Sequence, residues 1–336
     1  MDISVIMCCY NSELRIGATL ESLLAQQFQS AVSWEVVLVD NNCTDQTVEV
    51  AQSVWGSDAV PLRIVKESVP GLSAARDAGC RAATGNYILF CDDDNWLHQA
   101  YLACAFDFMG AHSEYGAIGG WGDVVSDPEV MIPEWFDQFK TKYACGKTRS
   151  EGSVDSLIGA GLFLRQQAME QLQAAGFTST LSDRKGAALS SGGDLELCMA
   201  LRIAGWKLHF AEKLYFQHYM PAGRLTEDYL LRMSEGHGRS RSILGEYRSA
   251  LADSNWKSRW LYGISFRFKL LLRVLKFRVL GLMLKPNVPL GQRVRNATNT
   301  GSAANDLECL GNGESGAVAY HLWQTFECLK ALQYRE

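Results

Sequence analysis

Apolar runs and helix-spaced segments alternate through the first 91 residues of this chain. Ile3 to Cys9, Trp34 to Val39, Leu62 to Val65 and Tyr87 to Cys91 are short, strand-like and dominated by Val, Ile and Leu. Between them, Leu14 to Phe28, Thr44 to Trp55 and Ser73 to Ala83 carry helical spacing. Such alternation predicts a parallel sheet with helices on both faces. Ligands of such sheets bind outside the carboxyl ends of the strands, so the residues after each strand are the first candidates for chemistry.

Those residues are polar and acidic. Asp92, Asp93 and Asp94 follow the fourth strand directly. Three adjacent carboxylates repel one another, and a hard cation such as Mg²⁺ or Mn²⁺ bridged to phosphates would offset this. A solvated acidic turn is the alternative. Asp40 ends the second strand and opens Asp40-Asn41-Asn42-Cys43-Thr44-Asp45. Its carboxylate suits a nucleobase or ribose, and equally an Asx turn. In Pro70 to Gly79, Ser73 can cap a helix that carries Arg76 one turn in. That guanidinium suits a ribose, base or phosphate, or an exposed helix surface.

The stretch from Gly116 to Gly193 is less regular and glycine-rich. A strand is expected from Leu157 to Leu164, containing Gly159, Ala160 and Gly161. A helix is expected from Asp194 to Ala204 with Gly205 as its stop, then strands from Trp206 to Phe216 and a helix from Leu225 to Gly236. The glycine pair before Asp194 delivers a carboxylate to a helix start. It can act as a general base or only as a cap. His218 lies among aromatics, as a core residue or a metal ligand. Arg184 and Lys185 suit a pyrophosphate or plain solvation. Asn296 to Gly316, polar and glycine-rich, reads as a loop or linker.

The order and spacing of these segments resemble the glycosyltransferase family 2 group of inverting enzymes with the GT-A fold, from Ile3 to about Gly236. The resemblance implies that Tyr10, Asn11, Asp40, Arg76, Asp92 and Asp93 contact a nucleotide-diphosphate sugar, and Arg184 and Lys185 join them as candidate pyrophosphate contacts. It implies that Asp94 of the DXD motif holds Mg²⁺ or Mn²⁺ and that Asp194 is the catalytic base; His218 is the further candidate ligand if it meets the aspartates in space. Gly159, Ala160, Gly161 and Glu196 fall on the acceptor side. Two positions depart from the common pattern: Asp77 stands for asparagine, and Gly193 stands where many members carry glutamate. The implied activity is inverting sugar transfer to a saccharide or lipid-linked acceptor in polysaccharide or glycolipid synthesis. A nucleotide-sugar-binding or membrane-associated scaffold without catalysis is the alternative. A dinucleotide oxidoreductase would need a glycine-rich turn where Tyr10-Asn11-Ser12-Glu13 stands.

Charge is distributed unevenly. From Trp256 to Asn296 there are ten basic residues and no acidic one, while the remainder carries 22 basic and 37 acidic residues. Leu261, Ile264, Phe268, Leu271, Leu272, Leu275, Val279, Leu282 and Met283 form one apolar stripe at helical pitch, flanked by lysines and arginines. Such a helix suits an anionic membrane surface, or packs its stripe on the catalytic domain. Nucleic acid is not an expected partner, given the acidic remainder. Ten scattered cysteines without a CxxC pair fit free thiols in a reducing compartment. With no leader and no uncharged apolar span of 18 residues, the expectation is a cytoplasmic chain, with peripheral contact at the inner face of the plasma membrane through 256–285. The expected organisation is a catalytic domain at 1–240 (nucleotide half 1–115, acceptor half 116–240), a basic amphipathic extension at 241–295, and a linker with a C-terminal helix at 296–336.

Overall fold

The computed structural model describes residues 1–56, 60–181, 183–184, 189, 191–252, 259–281, 288–311 and 315–333. The expected alternation is present: β1 (Ile3–Cys9), α1 (Ile16–Leu24), β2 (Trp34–Asp40), α2 (Thr47–Trp55), β3 (Leu62–Lys66), α3 (Leu72–Ala82) and β4 (Tyr87–Phe90). There follow β5 (Asn95–Leu97), α4 (Tyr101–Ala111), β6 (Tyr115–Val125), α5 (Phe136–Phe139), a 3₁₀ turn at Lys140–Tyr143, β7 (Gly152–Ser153) and β8 (Leu162–Arg165). The chain then forms α6 (Gln166–Ala174), α7 (Gly193–Ile203), β9 (Lys207–Tyr219), a 3₁₀ turn at Ala222–Arg224, α8 (Glu227–Ala252), α9 (Arg259–Gly281), α10 (Leu290–Gly311) and α11 (Ser315–Leu332).

Two compact units divide the chain: Met1–Gln171 with Trp206–Leu225, and Leu172–Gly205 with Thr226–Glu336. The first holds the sheet. β1 pairs in parallel with β2 and β4, and β2 with β3, giving the spatial order β3-β2-β1-β4. Direction of winding therefore reverses between β1 and β4, which opens a crevice at their carboxyl ends. Beyond β4 the sheet is mixed: β8 is antiparallel to β4 and β6, β6 is parallel to β9, and β5 and β7 run antiparallel to β9.

β1 and β2 are buried along almost their whole length because helices cover the sheet, so their sequences are apolar without alternation. Val5, Met7, Val36 and Leu38 have no exposed surface, and each contributes roughly 1.5–3 kcal/mol by leaving water. Truncating Leu38 to Ala would cost about 2–5 kcal/mol. β8 begins later than the expected Leu157 because Gly161 turns into the left-handed region at φ 71°. A side chain there would overlap the Tyr101 hydroxyl, which donates to the Gly161 carbonyl at 2.6 Å.

The second unit is helical. Leu172–Gly205 belongs to it, although that segment lies inside the 1–240 stretch. α10 occupies much of the region expected to be a loop. Its glycines serve close packing instead of breaking the helix. A side-chain carbon on Gly301 would overlap the Glu235 carbonyl of α8, and one on Gly238 of α8 would overlap the Thr298 carbonyl of α10. The two backbones thus touch at a reciprocal pair of glycines, and that contact outweighs the low helix propensity of the residue.

α9 docks through Phe266, Leu270 and Val274, all buried. Two of its cations face inward with them. Lys269 reaches both oxygens of the buried Glu246 at 3.0 Å, and Arg273 lies 3.2 Å from the buried Asp306, which also accepts the Ser242 hydroxyl. No described helix is long and apolar enough to cross a membrane.

Candidate active site

In the unit that holds the sheet, candidate residues gather at the carboxyl ends of β1, β2 and β4. Cys9 stands opposite Asp40 in the β1–β2 register, so the residues that follow emerge side by side. Tyr10 is exposed. Asn11 adopts φ 51°, and its side-chain carbonyl accepts the Thr44 amide at 2.8 Å. Asp40 accepts the Cys43 amide at 2.8 Å, the expected Asx turn. Asn41, which sequence reasoning passed over, ties this end together. Its amide donates to the Glu67 and Val69 carbonyls, and its oxygen accepts the Gly71 amide at the start of α3.

That tie positions α3 so that Arg76 lies over the Phe90 ring, 4.8 Å from its centroid, and 3.7 Å from the Asp92 carboxylate. The ring holds the guanidinium flat while leaving its edge polar.

The three aspartates have different surroundings. Asp92 is about one-third exposed. Asp93, expected among the donor contacts, is buried, and its carboxylate accepts from the Ser12 hydroxyl and from Arg15 at 2.8 Å. Burial and the neighbouring Asp94 push its pKa up, against the pull of Arg15 and Ser12. Its geometry supports anchoring the β4–β5 turn to the start of α1. Asp94 is also buried. Burial alone would raise its pKa, but His218 and Arg224 override this and hold the carboxyl well below the usual range.

β5 pairs with β9 so that Asn95 stands opposite His218, next to Asp94. His218 Nδ1 lies 2.9 Å from the Tyr143 carbonyl, an acceptor only, so this nitrogen carries a proton. Nε2 is 3.4 Å from Asp94 Oδ1. The other Asp94 oxygen accepts from Arg224 Nη1 at 2.6 Å, and Asn95 donates to Oδ1 at 3.1 Å. Cys145 lies beside the same imidazole, 3.9 Å from Nδ1, and burial pushes its thiol up to about 12, so it stays protonated. Gly159, Ala160 and Gly161 are buried at the end of β4, where the Gly161 amide donates to the Phe90 carbonyl at 3.0 Å.

The remaining candidate residues belong to the helical unit. Asp194 is half-buried in the first turn of α7, and accepts the Leu195 amide at 2.9 Å. The cap position belongs to Gly192, at φ 128°. The buried Asp183, at φ 50°, supplies the acceptor that a cap would provide, taking the Gly193 amide at 2.8 Å. A side chain at 193 would overlap that carboxylate, which accounts for the departure from glutamate there. Glu196, expected on the acceptor side, has no exposed surface. It accepts from Ser179 at 2.7 Å, the Thr180 and Leu181 amides at 3.0 and 3.1 Å, and Tyr247 at 2.9 Å. Its geometry supports holding the 179–181 loop. Arg184 is exposed, and Lys185 lies outside the described residues.

Asp94 and His218 offer a hard oxygen and an imidazole nitrogen toward each other. An imidazole whose other nitrogen donates to a backbone carbonyl is the usual arrangement of a metal-ligating histidine. The donors therefore fit a divalent cation, with Arg224 now supplying the countercharge. Among the described residues no group of three or more His, Cys, Asp or Glu side chains forms a complete cage, so a bound cation would draw further oxygens from water or a phosphate.

The fold is of the GT-A class, a central sheet flanked by helices with polar residues gathered at the strand ends. The sequence pattern described as Glycosyl transferase family 2 matches residues 4–172, half of the chain, and the chain belongs to that family. It is 31% identical over 119 residues to glycosyltransferase GlyA of Streptococcus pneumoniae serotype 4, covering 35% of this chain and 16% of that protein. It is 25% identical over 264 residues to a glucosyl-dolichyl phosphate glucuronosyltransferase of Haloferax volcanii, covering 76% and 81%. The chain thus spans a sixth of GlyA, but most of the Haloferax protein. The structure of S. aureus TarS 1–349 in complex with UDP-GlcNAc superposes with a TM-score of 0.52 at 17% identity, over 99% of this chain and 90% of that one.

Proposed function

We propose that this chain moves a sugar from a nucleoside diphosphate to a hydroxyl of a saccharide or lipid-linked acceptor, inverting the anomeric carbon. The observation that carries the reading is the pairing of Arg76 with Asp92 beside an Asp94 that meets His218, all at the carboxyl end of β4. Family membership and the likeness to TarS support it. The Haloferax relative, named for a glucosyl-dolichyl phosphate, supports a lipid-linked acceptor.

In this reading Tyr10, Asn11 and Asp40 receive the nucleoside, and Arg76 and Asp92 orient its ribose. Arg184 and Lys185 bring positive charge to the diphosphate. Asp94 and His218 would hold Mg²⁺ or Mn²⁺, which supplies Lewis-acid charge against the departing diphosphate. The acceptor oxygen forms a bond to the anomeric carbon as the bond from that carbon to the diphosphate oxygen breaks. The electron pair leaves with the diphosphate, and the hydroxyl proton passes to Asp194. Gly159, Ala160 and Gly161 shape the acceptor side through their backbone. Glu196 and Asp183 act at one remove, fixing the loop and helix start that carry Asp194.

The test is release of nucleoside diphosphate from a panel of nucleotide sugars with Mn²⁺, beginning with UDP-sugars because TarS binds UDP-GlcNAc. Release that needs acceptor and Asp194, with an inverted product by NMR, supports the reading. Donor binding without any release would make the chain a non-catalytic scaffold.

A further inference from the structure

The apolar stripe of α9 and the face by which α9 docks are different faces. Phe266, Leu270 and Val274 are 4% exposed or less, whereas Ile264, Phe268, Leu271, Leu272 and Leu275 are each 46–59% exposed. The second set recurs at helical spacing, so these five large side chains form one continuous strip on the surface. Of the two readings of the stripe, membrane surface or packing on the catalytic domain, the exposure of these residues favours the first. Leu261, Val279, Leu282 and Met283 lie outside the described side chains.

A strip of this kind on a water-soluble surface marks a docking face. Its charge surroundings select the occupant. Arg267 is exposed beside the strip, and no acidic residue occurs between Trp256 and Asn296. Lys269 and Arg273 are already matched by Glu246 and Asp306, so the inward side of α9 is neutralised, while Arg267 leaves a cation at its exposed surface. A second copy packing the same face against itself would set one basic run against the other. An anionic leaflet would accept the strip among its acyl chains and pair the cations with its headgroups.

We propose that α9 is a membrane-surface anchor that lies in the plane of an anionic leaflet. Phe268 and Leu272 insert at its centre, and the Lys269–Glu246 and Arg273–Asp306 pairs fasten it to the rest of the helical unit. This inference stands apart from the sugar-transfer reading, because vesicle binding and donor turnover are measured separately.

The test is co-sedimentation of the full chain with phosphatidylcholine vesicles, with and without phosphatidylglycerol, at low salt. Binding is expected to require phosphatidylglycerol. The double variant Phe268→Ser/Leu272→Ser is expected to bind about tenfold more weakly or less, with an unchanged thermal midpoint because both positions are exposed. Absence of binding to the anionic vesicles, or equal binding by the variant, overturns the proposal. So does a wild-type dimer that the double variant turns into a monomer while vesicle binding persists, which would assign the strip to a second copy.

Discussion

The Asp183 carboxylate occupies the space that a side chain on Gly193 would need, and accepts the Gly193 amide at 2.8 Å. The first turn of α7, which carries Asp194, is therefore terminated by a residue ten positions upstream. Gly193→Ala should expel that carboxylate and cost about 1–3 kcal/mol by chemical denaturation. In an Asp183→Ala background the same substitution should cost markedly less, since the space is then empty. Equal costs in the two backgrounds would show that the two residues are not coupled.

Asp183 takes the Gly193 amide and Asp194 takes that of Leu195, so a base role for Asp194 is separated from a helix-start role by kinetics. Asp194→Asn should leave nucleotide-sugar affinity within about twofold by calorimetry and lower transfer roughly a hundred- to ten-thousand-fold. Unchanged turnover would remove Asp194 from the mechanism.

Arg224 holds one oxygen of Asp94, so a divalent cation on that carboxylate, as proposed above, would have to compete with it. Arg224→Ala should destabilise the metal-free protein by about 1.5–3 kcal/mol, the value of a hydrogen bond to a charged group. It should also enlarge the thermal shift produced by Mn²⁺. A variant whose Mn²⁺ response shrinks would place the cation elsewhere.

Glu35 gives a pH prediction remote from the site. It is buried in β2 and accepts the Ser4 hydroxyl at 2.7 Å and the Thr84 amide and hydroxyl at 3.0 and 2.7 Å, with Arg63 at 3.4 Å. Burial pushes its pKa up, but the bonds from Thr84 and Ser4 and the charge of Arg63 outweigh this and leave it lowered. A lowered folded value adds stability above the unfolded carboxylate range and loses it as pH falls through the folded value. The stability advantage of wild type over Glu35→Gln should be full at neutral pH and shrink on acidification below about pH 4. An advantage that is flat with pH would contradict the assignment.

What could be read from sequence was what is local. The buried strands announce themselves as unbroken apolar runs, and Asp40, Asp92 and Asp94 follow their strands directly, so the topology carries them to one end of the sheet. Arg15 and Arg224 were missed because they meet their aspartates across 78 and 130 residues, with no motif around either to mark it. Asp93 looked like its neighbours, and only the position of Ser12 and Arg15 separates it from them. The glycines of α10 read as breakers because a sequence does not tell a turn from a close helix crossing. The spacing of α9 revealed a stripe, but not that Lys269 and Arg273 would be drawn to the opposite face by buried acids.

The contact of Gly238 with Gly301 also bears on how the helical unit can drift over generations. Each position leaves room for the other helix's backbone, not for its partner's side chain, so neither can compensate a change in the other. Both sites should hold to glycine independently, and a library randomised at both should return glycine at each. Changes in helix spacing would have to come through insertions that reset where α8 and α10 cross.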